Sequence, residues 1–373
     1  MKYYLVAGEA SGDLHGSYLM KALQRADERA AFRFWGGDLM AAVGGELRKH
    51  YRELAFMGFA EVVMNLRTIL GNFKACKADI LAYAPDVLVL VDYPGFNLRM
   101  AKWAKQQGIK VFYYISPQIW AWHSSRVHQI KAHVDRMFVI LPFEEAFYQQ
   151  YDVQVDYVGH PLLDVIKDQP VATGFRAQNQ LTDQPLVALL PGSRKQEINR
   201  MLAVMLATAR YFPDWQFVVA GAPAQETSYY HQLFAQYGQP ANVQLVEGQT
   251  YALLQNAQAA LVTSGTATLE TALLDCPQLV CYRGNPLSYA IARRVINVKY
   301  ISLVNLVMDQ PLVLELIQND FKVERLQREL AQLMTSNQQA TIKAGYAQLR
   351  DILGDGGAAQ RCADLMVGYL KQA

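Results

Sequence analysis

The chain has 373 residues, 52% hydrophobic and 18% charged, a length that suits two domains better than one. Its formal net charge of +2 is far from the excess of a protein built to grip nucleic acid. Cys76, Cys276, Cys281 and Cys362 follow no disulfide or ligand spacing, the N-terminal apolar stretch is broken too early for a secretory signal, and no run of roughly 18 apolar residues can span a membrane, so a reducing cytoplasm is the expected compartment.

The first apolar run, 2–7, predicts a strand that enters a two-glycine turn and a helix over 14–25. Glu9, Ser11, Asp13 and His15 crowd that turn. In an open α/β sheet the carboxyl ends of strands face the ligand crevice, so the turn is a candidate site, although it is not the GxGxxG of a dinucleotide fold. A strand is expected at 32–35. The stretch 54–73 carries only Glu61 and Arg67 as charges, and Phe59, Val62, Leu66, Ile69 and Phe73 share one helical face that Val63 and Leu70 widen. Such a face reads either as a buried helix with a broad core contact or as a surface for acyl chains or a membrane.

A strand over 86–91 ends in Asp92-Tyr93-Pro94-Gly95-Phe96-Asn97, ahead of a helix expected at 97–107. Asp92 at a strand's carboxyl end is a candidate general base, with Glu9, Asp13 and His15 of the opening turn as competing candidates; the alternative for Asp92 is a cap on the following helix. Strands are also expected at 111–115 and 137–141. Between residues 99 and 136 lie seven Lys or Arg and one acid, Asp135. Interleaved with aromatics over 113–126, they form either a patch for an anionic or phosphorylated partner or a solvated helix face. His123, His128 and His133, five residues apart, point around a helix and read as surface residues.

Residues 166–185, polar and punctuated by Pro170, Gly174 and Pro185, read as an interdomain linker. A second series of strands follows at 186–190, 216–220, 243–246, 259–263 and 278–282, with helices at 196–211 and 266–274. Two successive series of near-continuous apolar strands predict an α/β protein with two doubly wound parallel sheets. After the strand 186–190, Gly192, Ser193 and Arg194 precede a helix, where backbone amides, the helix dipole and a guanidinium suit a phosphate. After 259–263, Ser264, Gly265 and Thr266 offer a second such turn, and Glu270 one turn later can accept ribose hydroxyls; Thr266 as a plain N-cap is the alternative. Two phosphate-type turns in one domain point to a nucleoside diphosphate. No DxD carboxylate pair is evident, so no metal and no cofactor is expected. Finally, 322–353 reads as a long amphipathic helical region, broken by Gly354, Gly356 and Gly357 before a helix over 358–371.

Taken in order, Gly8-Glu9-Ala10-Ser11-Gly12-Asp13, Asp92 to Asn97, Ser116-Pro117 with Trp120-Ala121-Trp122, Gly159-His160-Pro161, Leu190 to Arg194, Ser264-Gly265-Thr266 with Glu270, and Ser302-Leu303 with Asn305-Leu306 resemble the lipid-A-disaccharide synthase family. Gly95 departs from it, since many members carry a second aspartate there. The resemblance implies a GT-B glycosyltransferase, two Rossmann-like domains facing across a cleft: 1–165 for the acceptor, 166–354 for the nucleotide sugar, and a last helix within 355–373 returning to the first.

It further implies inverting transfer of 2,3-diacylglucosamine from its UDP derivative to the 6-hydroxyl of 2,3-diacylglucosamine 1-phosphate. In that scheme Asp92 is the base, with Glu9, Asp13 and His15 on the acceptor wall beside it. Gly192, Ser193, Arg194, Ser264, Gly265 and Thr266 hold the diphosphate, Glu270 the ribose, and Asn305 the nucleotide side. Phe59, Val62, Val63, Leu66, Ile69 and Leu70 would meet acyl chains or the inner face of the cytoplasmic membrane, and a homodimer is left open. The rivals are another UDP-sugar GT-B transferase or a UDP-sugar 2-epimerase, and, in a different class, a non-catalytic nucleotide-sugar-binding protein.

Overall fold

The computed structural model describes residues 1–54, 66–122, 124–285, 289 and 298–372. The chain divides into two compact units, Met1–Asp164 with Gly356–Ala373, and Val165–Asp355. Among the described residues the first unit holds β1 (Lys2–Ala7), β2 (Ala31–Gly36), β3 (Glu46–His50), β4 (Val87–Val91), β5 (Val111–Tyr114), β6 (Arg136–Val139) and β7 (Asp156–Tyr157). All pair in parallel, in the order β3-β2-β1-β4-β5-β6-β7. The chain therefore runs outward from β1 to one edge and restarts at β4 on the other side. The ends of β1 and β4 lie side by side, with Ala7 opposite Val91, and this reversal of strand order is where an open sheet leaves its crevice.

Continuous apolar strands follow from burial on both faces. In β4 every residue of Val-Leu-Val-Leu-Val is buried. Val87, Val89 and Val91 join one core with Leu19, Leu23 and Met366, while Leu88 and Leu90 join the other with Phe96 and Met100, as a period of two requires. The helix Ala358–Lys371 completes the first of these cores through Cys362, Ala363, Met366 and Val367, packed against the helix Ala10–Ala26. Its amino end is fixed by Asp164, whose carboxylate accepts the Gly357 N–H and, at 3.2 Å, that of Ala359. Arg361 Nε donates to the Val158 carbonyl at 2.9 Å.

The second unit repeats the plan with β8 (Leu186–Leu190), β9 (Gln216–Gly221), β10 (Val243–Glu247), β11 (Ala259–Thr263), β12 (Gln278–Tyr282) and β13 (Glu315–Ile317). The order is β10-β9-β8-β11-β12-β13, again parallel. Its switch point lies between β8 and β11, where Leu190 pairs with Val262.

Three strands escape the sequence pattern, and all are at sheet edges. β3 is Glu-Leu-Arg-Lys-His and largely exposed, β7 has two residues and β13 three. Edge strands need charge and brevity rather than an apolar run. The segment 166–185 is not a bare linker, because Phe175 and Leu181 bury into the second core beside Ala188 and Leu190, and Arg176 caps the Thr182 and Gln184 carbonyls. The region 322–353 folds as two helices, Val323–Leu333 and Ser336–Leu353. The helix expected from residue 97 begins at Pro94, whose fixed φ and missing N–H suit a first position.

Met366 is fully buried. Met366→Ala should lower the unfolding free energy of the first unit by about 2–5 kcal/mol, read as an earlier urea midpoint for that unit.

Candidate active site

In the first unit the turn after β4 is built against the grain of the backbone. Asp92 and Tyr93 have φ of 44° and 49°, and Ile115, at the end of neighbouring β5, has 66°. Left-handed geometry costs a non-glycine residue on the order of 1–3 kcal/mol and persists only where its surroundings over-determine it. Here they do. The Asp92 carbonyl accepts Tyr113 Oη at 2.6 Å and Asn97 Nδ2 at 2.7 Å, and the Asp92 N–H donates to the Tyr114 carbonyl at 3.1 Å. Asn97, wholly buried, also shares its amide with the Val6 and Val91 carbonyls, each at 3.2 Å. One side chain thus joins the ends of β1 and β4 to the turn. The following helix is capped by Tyr93 with no side-chain bond, so the Asp92 carboxylate is not a helix cap.

That carboxylate is half-buried, and burial, reinforced by the negative charge of Glu9, pushes its pKa up to about 7 against the pull of a bond from the Tyr93 N–H. Glu9 comes from the turn after β1. The two turns touch: a Cβ on Gly8 would fall 2.3 Å from the Tyr93 ring, so only glycine fits under that ring. Asp92 and Glu9, singled out separately in the sequence, are therefore brought together.

Asp13 is engaged elsewhere. It is buried, and its oxygens accept the N–H groups of Gly37 at 2.7 Å, Met40 at 3.0 Å and Leu39 at 3.1 Å. The carboxylate so caps the helix Asp38–Val43 from a distance and is not placed for proton transfer. His15 is also buried, and desolvation holds its pKa down at about 4. His160 is buried near it, at about 3, lowered by burial and then by the His15 charge. Both imidazoles are neutral at pH 7, and His15 Nδ1 has no hydrogen-bond partner among the described residues.

In the second unit, β8 leads through Gly192, at φ 112°, into the helix Lys195–Ala209. A Cβ on Gly192 would stand 3.0 Å from Glu197 Cβ and 3.6 Å from Thr263 Cγ2, so the turn after β8 lies against the end of β11. From β11 the chain passes through Ser264 and Gly265 into the helix Thr266–Leu273. Neither helix start has a side-chain cap, which leaves first-turn amides open to an anion. Arg194 is exposed and only loosely paired, with Glu197 at 3.6 Å, an ion pair of little energetic weight. Ser193 and Thr266 are exposed as well. Glu270 accepts Tyr251 Oη at 2.8 Å, and its pKa is raised by burial.

Two second-unit residues differ from the sequence reading. Ser264 Oγ donates to the Ile301 carbonyl at 2.7 Å, so its proton faces the protein. Asn305 is 1% exposed, with Nδ2 bonded to the Val313 carbonyl at 2.8 Å and to Glu315 at 3.0 Å, while Oδ1 accepts the Val313 N–H at 2.9 Å. Its side chain is a brace for β13, not a nucleotide contact. Glu315 is a residue the sequence did not reveal. It accepts the N–H groups of Ile301 and Ser302 at 3.0 and 2.9 Å and Ser302 Oγ at 2.8 Å, and so holds the carbonyl that orients Ser264. Tyr113 was missed in the same way, since a tyrosine in an apolar strand reads as core.

Of the apolar set, Phe59, Val62 and Val63 lie outside the described residues, as do the Leu66 side chain and His123. Ile69 is half-buried, Leu70 is 57% exposed, and Phe73 turns inward to stack on Phe96 at 4.3 Å. Among the described residues no group of three or more His, Cys, Asp or Glu could hold a metal ion, and no helix is long and apolar enough to cross a membrane.

Two parallel-sheet units, each with polar turns gathered at its switch point, have the GT-B fold that glycosyltransferases and UDP-GlcNAc 2-epimerases share. The fold is similar to that of UDP-GlcNAc 2-epimerase from Neisseria meningitidis (TM-score 0.67, 14% identity, 100% of each chain) and of the calicheamicin glycosyltransferase (TM-score 0.60, 18% identity, 99% of this chain and 98% of that one). A family model described as lipid-A-disaccharide synthetase matches residues 3–361. The lipid-A-disaccharide synthase of Syntrophus aciditrophicus (strain SB) is 42% identical over 379 residues, 99% of this chain and 98% of its own. The chain belongs to the lipid-A-disaccharide synthetase family.

The raised pKa of Asp92 has a stability consequence. The folded chain holds that proton up to about pH 7, whereas the unfolded chain releases it near pH 4, so stability from this group falls as pH rises across that window. Asp92→Asn, which keeps a residue tolerant of left-handed φ, should raise Tm by a few degrees at pH 8 and leave it unchanged at pH 4.

Proposed function

We propose that the chain transfers 2,3-diacylglucosamine from UDP-2,3-diacylglucosamine to the 6-hydroxyl of 2,3-diacylglucosamine 1-phosphate, forming the β-1,6-linked disaccharide 1-phosphate and UDP. Family membership over residues 3–361 supports the reaction. The observation that carries the residue assignment is Asp92, a half-buried carboxylate with a pKa of about 7 on a clamped turn at the strand switch.

The acceptor hydroxyl gives its proton to Asp92 as its oxygen attacks the anomeric carbon of the donor. A base whose pKa sits near the working pH is both available and strong enough for this task. Attack opposite the leaving group inverts the centre in one displacement, and the bond to the β-phosphate oxygen of UDP breaks. In this reading the amides at the starts of Lys195–Ala209 and Thr266–Leu273, with Arg194, take the developing diphosphate charge. Arg194 exchanges its loose contact with Glu197 for phosphate oxygens, and Glu270 accepts the ribose hydroxyls. Glu9 tunes Asp92, His15 offers a neutral imidazole to a sugar hydroxyl, and Asp13 holds the neighbouring helix in place. The acylated substrates and the exposed Leu70 support work at the inner surface of the cytoplasmic membrane, with the segment from Phe59 to Leu70 meeting the chains.

Incubation with the UDP-diacylglucosamine donor and its 1-phosphate acceptor should yield the disaccharide 1-phosphate by mass spectrometry; UDP release without a disaccharide would refute the transfer. Asp92→Asn should lower kcat by about 10²–10⁴-fold with the Kd for UDP unchanged. For the native chain kcat/KM should rise with pH through an apparent pKa of about 7, and Glu9→Gln should move that limb to lower pH, since a like charge is removed. Arg194→Ala should raise the Kd for UDP about tenfold, roughly 1.4 kcal/mol, by calorimetry.

A further inference from the structure

Beside the Asp92 turn the first unit carries a cleft of about 200 Å³, lined by Pro94, Gly95, Leu98, Arg99, Arg126 and Gln129. Two guanidiniums enter this described lining and no carboxylate does. The cleft lies where the helix Pro94–Gln106 packs on the helix Val127–His133. Arg99, exposed one turn into the first helix, lies 5.8 Å from the Phe73 ring centroid. Arg126 precedes the second helix, and its charge is felt at Tyr113, whose hydroxyl holds the Asp92 carbonyl at 2.6 Å. The cleft and the base are thus two faces of one turn.

Its floor is open backbone. A Cβ on Gly95 would meet nothing within 4 Å. Pro94 has no N–H, and those of Phe96 and Asn97 bond to the Tyr93 carbonyl at 3.2 and 3.0 Å, so among the first-turn residues the N–H of Gly95, which lines the cleft, has no backbone acceptor among the described residues. Two planar forks and one amide around a space of this size match a phosphate monoester, which is close to doubly charged at pH 7.

The proposed reaction gives this cleft a specific task. Donor and acceptor present the same diacylated glucosamine, and they differ at the anomeric position, where one carries a nucleoside diphosphate and the other a bare phosphate. A half-site that read the sugar and its chains alone would bind both and be blocked by donor. We infer that the Arg99–Arg126 cleft binds the anomeric phosphate of the acceptor and thereby selects acceptor over donor beside Asp92. The acceptor's terminal phosphate monoester brings close to two charges to the two guanidiniums, whereas each phosphate of the donor's diphosphate is linked on both sides and brings only one. The inference rests on the reading of the Asp92 turn as the acceptor half-site.

The test compares two acceptors on the full-length chain, 2,3-diacylglucosamine 1-phosphate and the same molecule without its phosphate. The native chain should favour the phosphorylated acceptor. Arg99→Gln and Arg126→Gln should each raise KM for it about tenfold, leave KM for the dephosphorylated acceptor within twofold, and leave the Kd for UDP unchanged, which also reports an intact fold. Lysine at either position should restore part of the preference. Equal losses for both acceptors, or no change for either, would overturn the inference. Should Arg126→Gln fail to bind UDP, the exposed Arg99→Gln carries the comparison alone. Phosphatidylglycerol vesicles separate the other source of phosphate: binding to them should be the same in native and variant chains, and its loss with acceptor kinetics intact would assign the cleft to a lipid headgroup instead. A native chain that turned over neither acceptor would refute the proposed reaction and not the cleft.

Discussion

The buried amide of Asn97 is the interaction on which the first unit's chemistry depends. Two N–H bonds serve three carbonyls, those of Val6, Val91 and Asp92, and these belong to two neighbouring strands and the turn beyond one of them. With the two bonds from β5, Tyr113 Oη to the Asp92 carbonyl and the Asp92 N–H to the Tyr114 carbonyl, that link holds Asp92 and Tyr93 in a backbone conformation they intrinsically disfavour. Strain of this sort fixes direction: the turn cannot relax, so the carboxylate stays half-buried beside Glu9. Its raised pKa is a property of position rather than of residue type.

The second unit reaches the same end by other means. Its turns after β8 and β11 use glycine in place of strained residues, and its helix starts are left without side-chain caps. What must be fixed there is a ring of amides rather than a titrating group. The brace comes from Glu315, which gathers Ile301, Ser302 and Asn305 and through the Ile301 carbonyl turns the Ser264 hydroxyl inward. Both units apply one topological rule, with polar turns where strand order reverses. They differ in the groups placed there, a carboxylate of raised pKa in one and helix starts without side-chain caps in the other.

The sequence made the interior strands plain, because burial on both faces demands unbroken apolar runs such as Val87 to Val91. Edge strands β3, β7 and β13 left no such trace, being short or charged. The candidate site was legible as a set of turns, since glycines and polar residues after strands are local signals. The direction of each side chain was not. Asp13 and Glu9 stand four residues apart in one turn, yet Asp13 binds amides near residue 38 while the charge of Glu9 acts on Asp92. That division depends on where the Asp38–Val43 helix starts, a contact no local pattern encodes. Asn305 shows the same limit: an asparagine in a motif reads as a ligand contact until the strand it braces is in view. The segment 166–185 was misread for the opposite reason, as two apolar residues, Phe175 and Leu181, suffice to fold a polar stretch onto a core.

The first unit is discontinuous in sequence, and this constrains how it can be made. Its core of Leu19, Leu23, Val89 and Met366 lacks one wall until the helix Ala358–Lys371 arrives, and that helix leaves the ribosome only after all of the second unit has been synthesised. The second unit can close on its own contiguous chain while the first waits with an apolar face uncovered. Biogenesis therefore runs against chain order, with the later unit finished first. The interval in which this chain most needs shielding from aggregation is set by how long residues 165–355 take to translate.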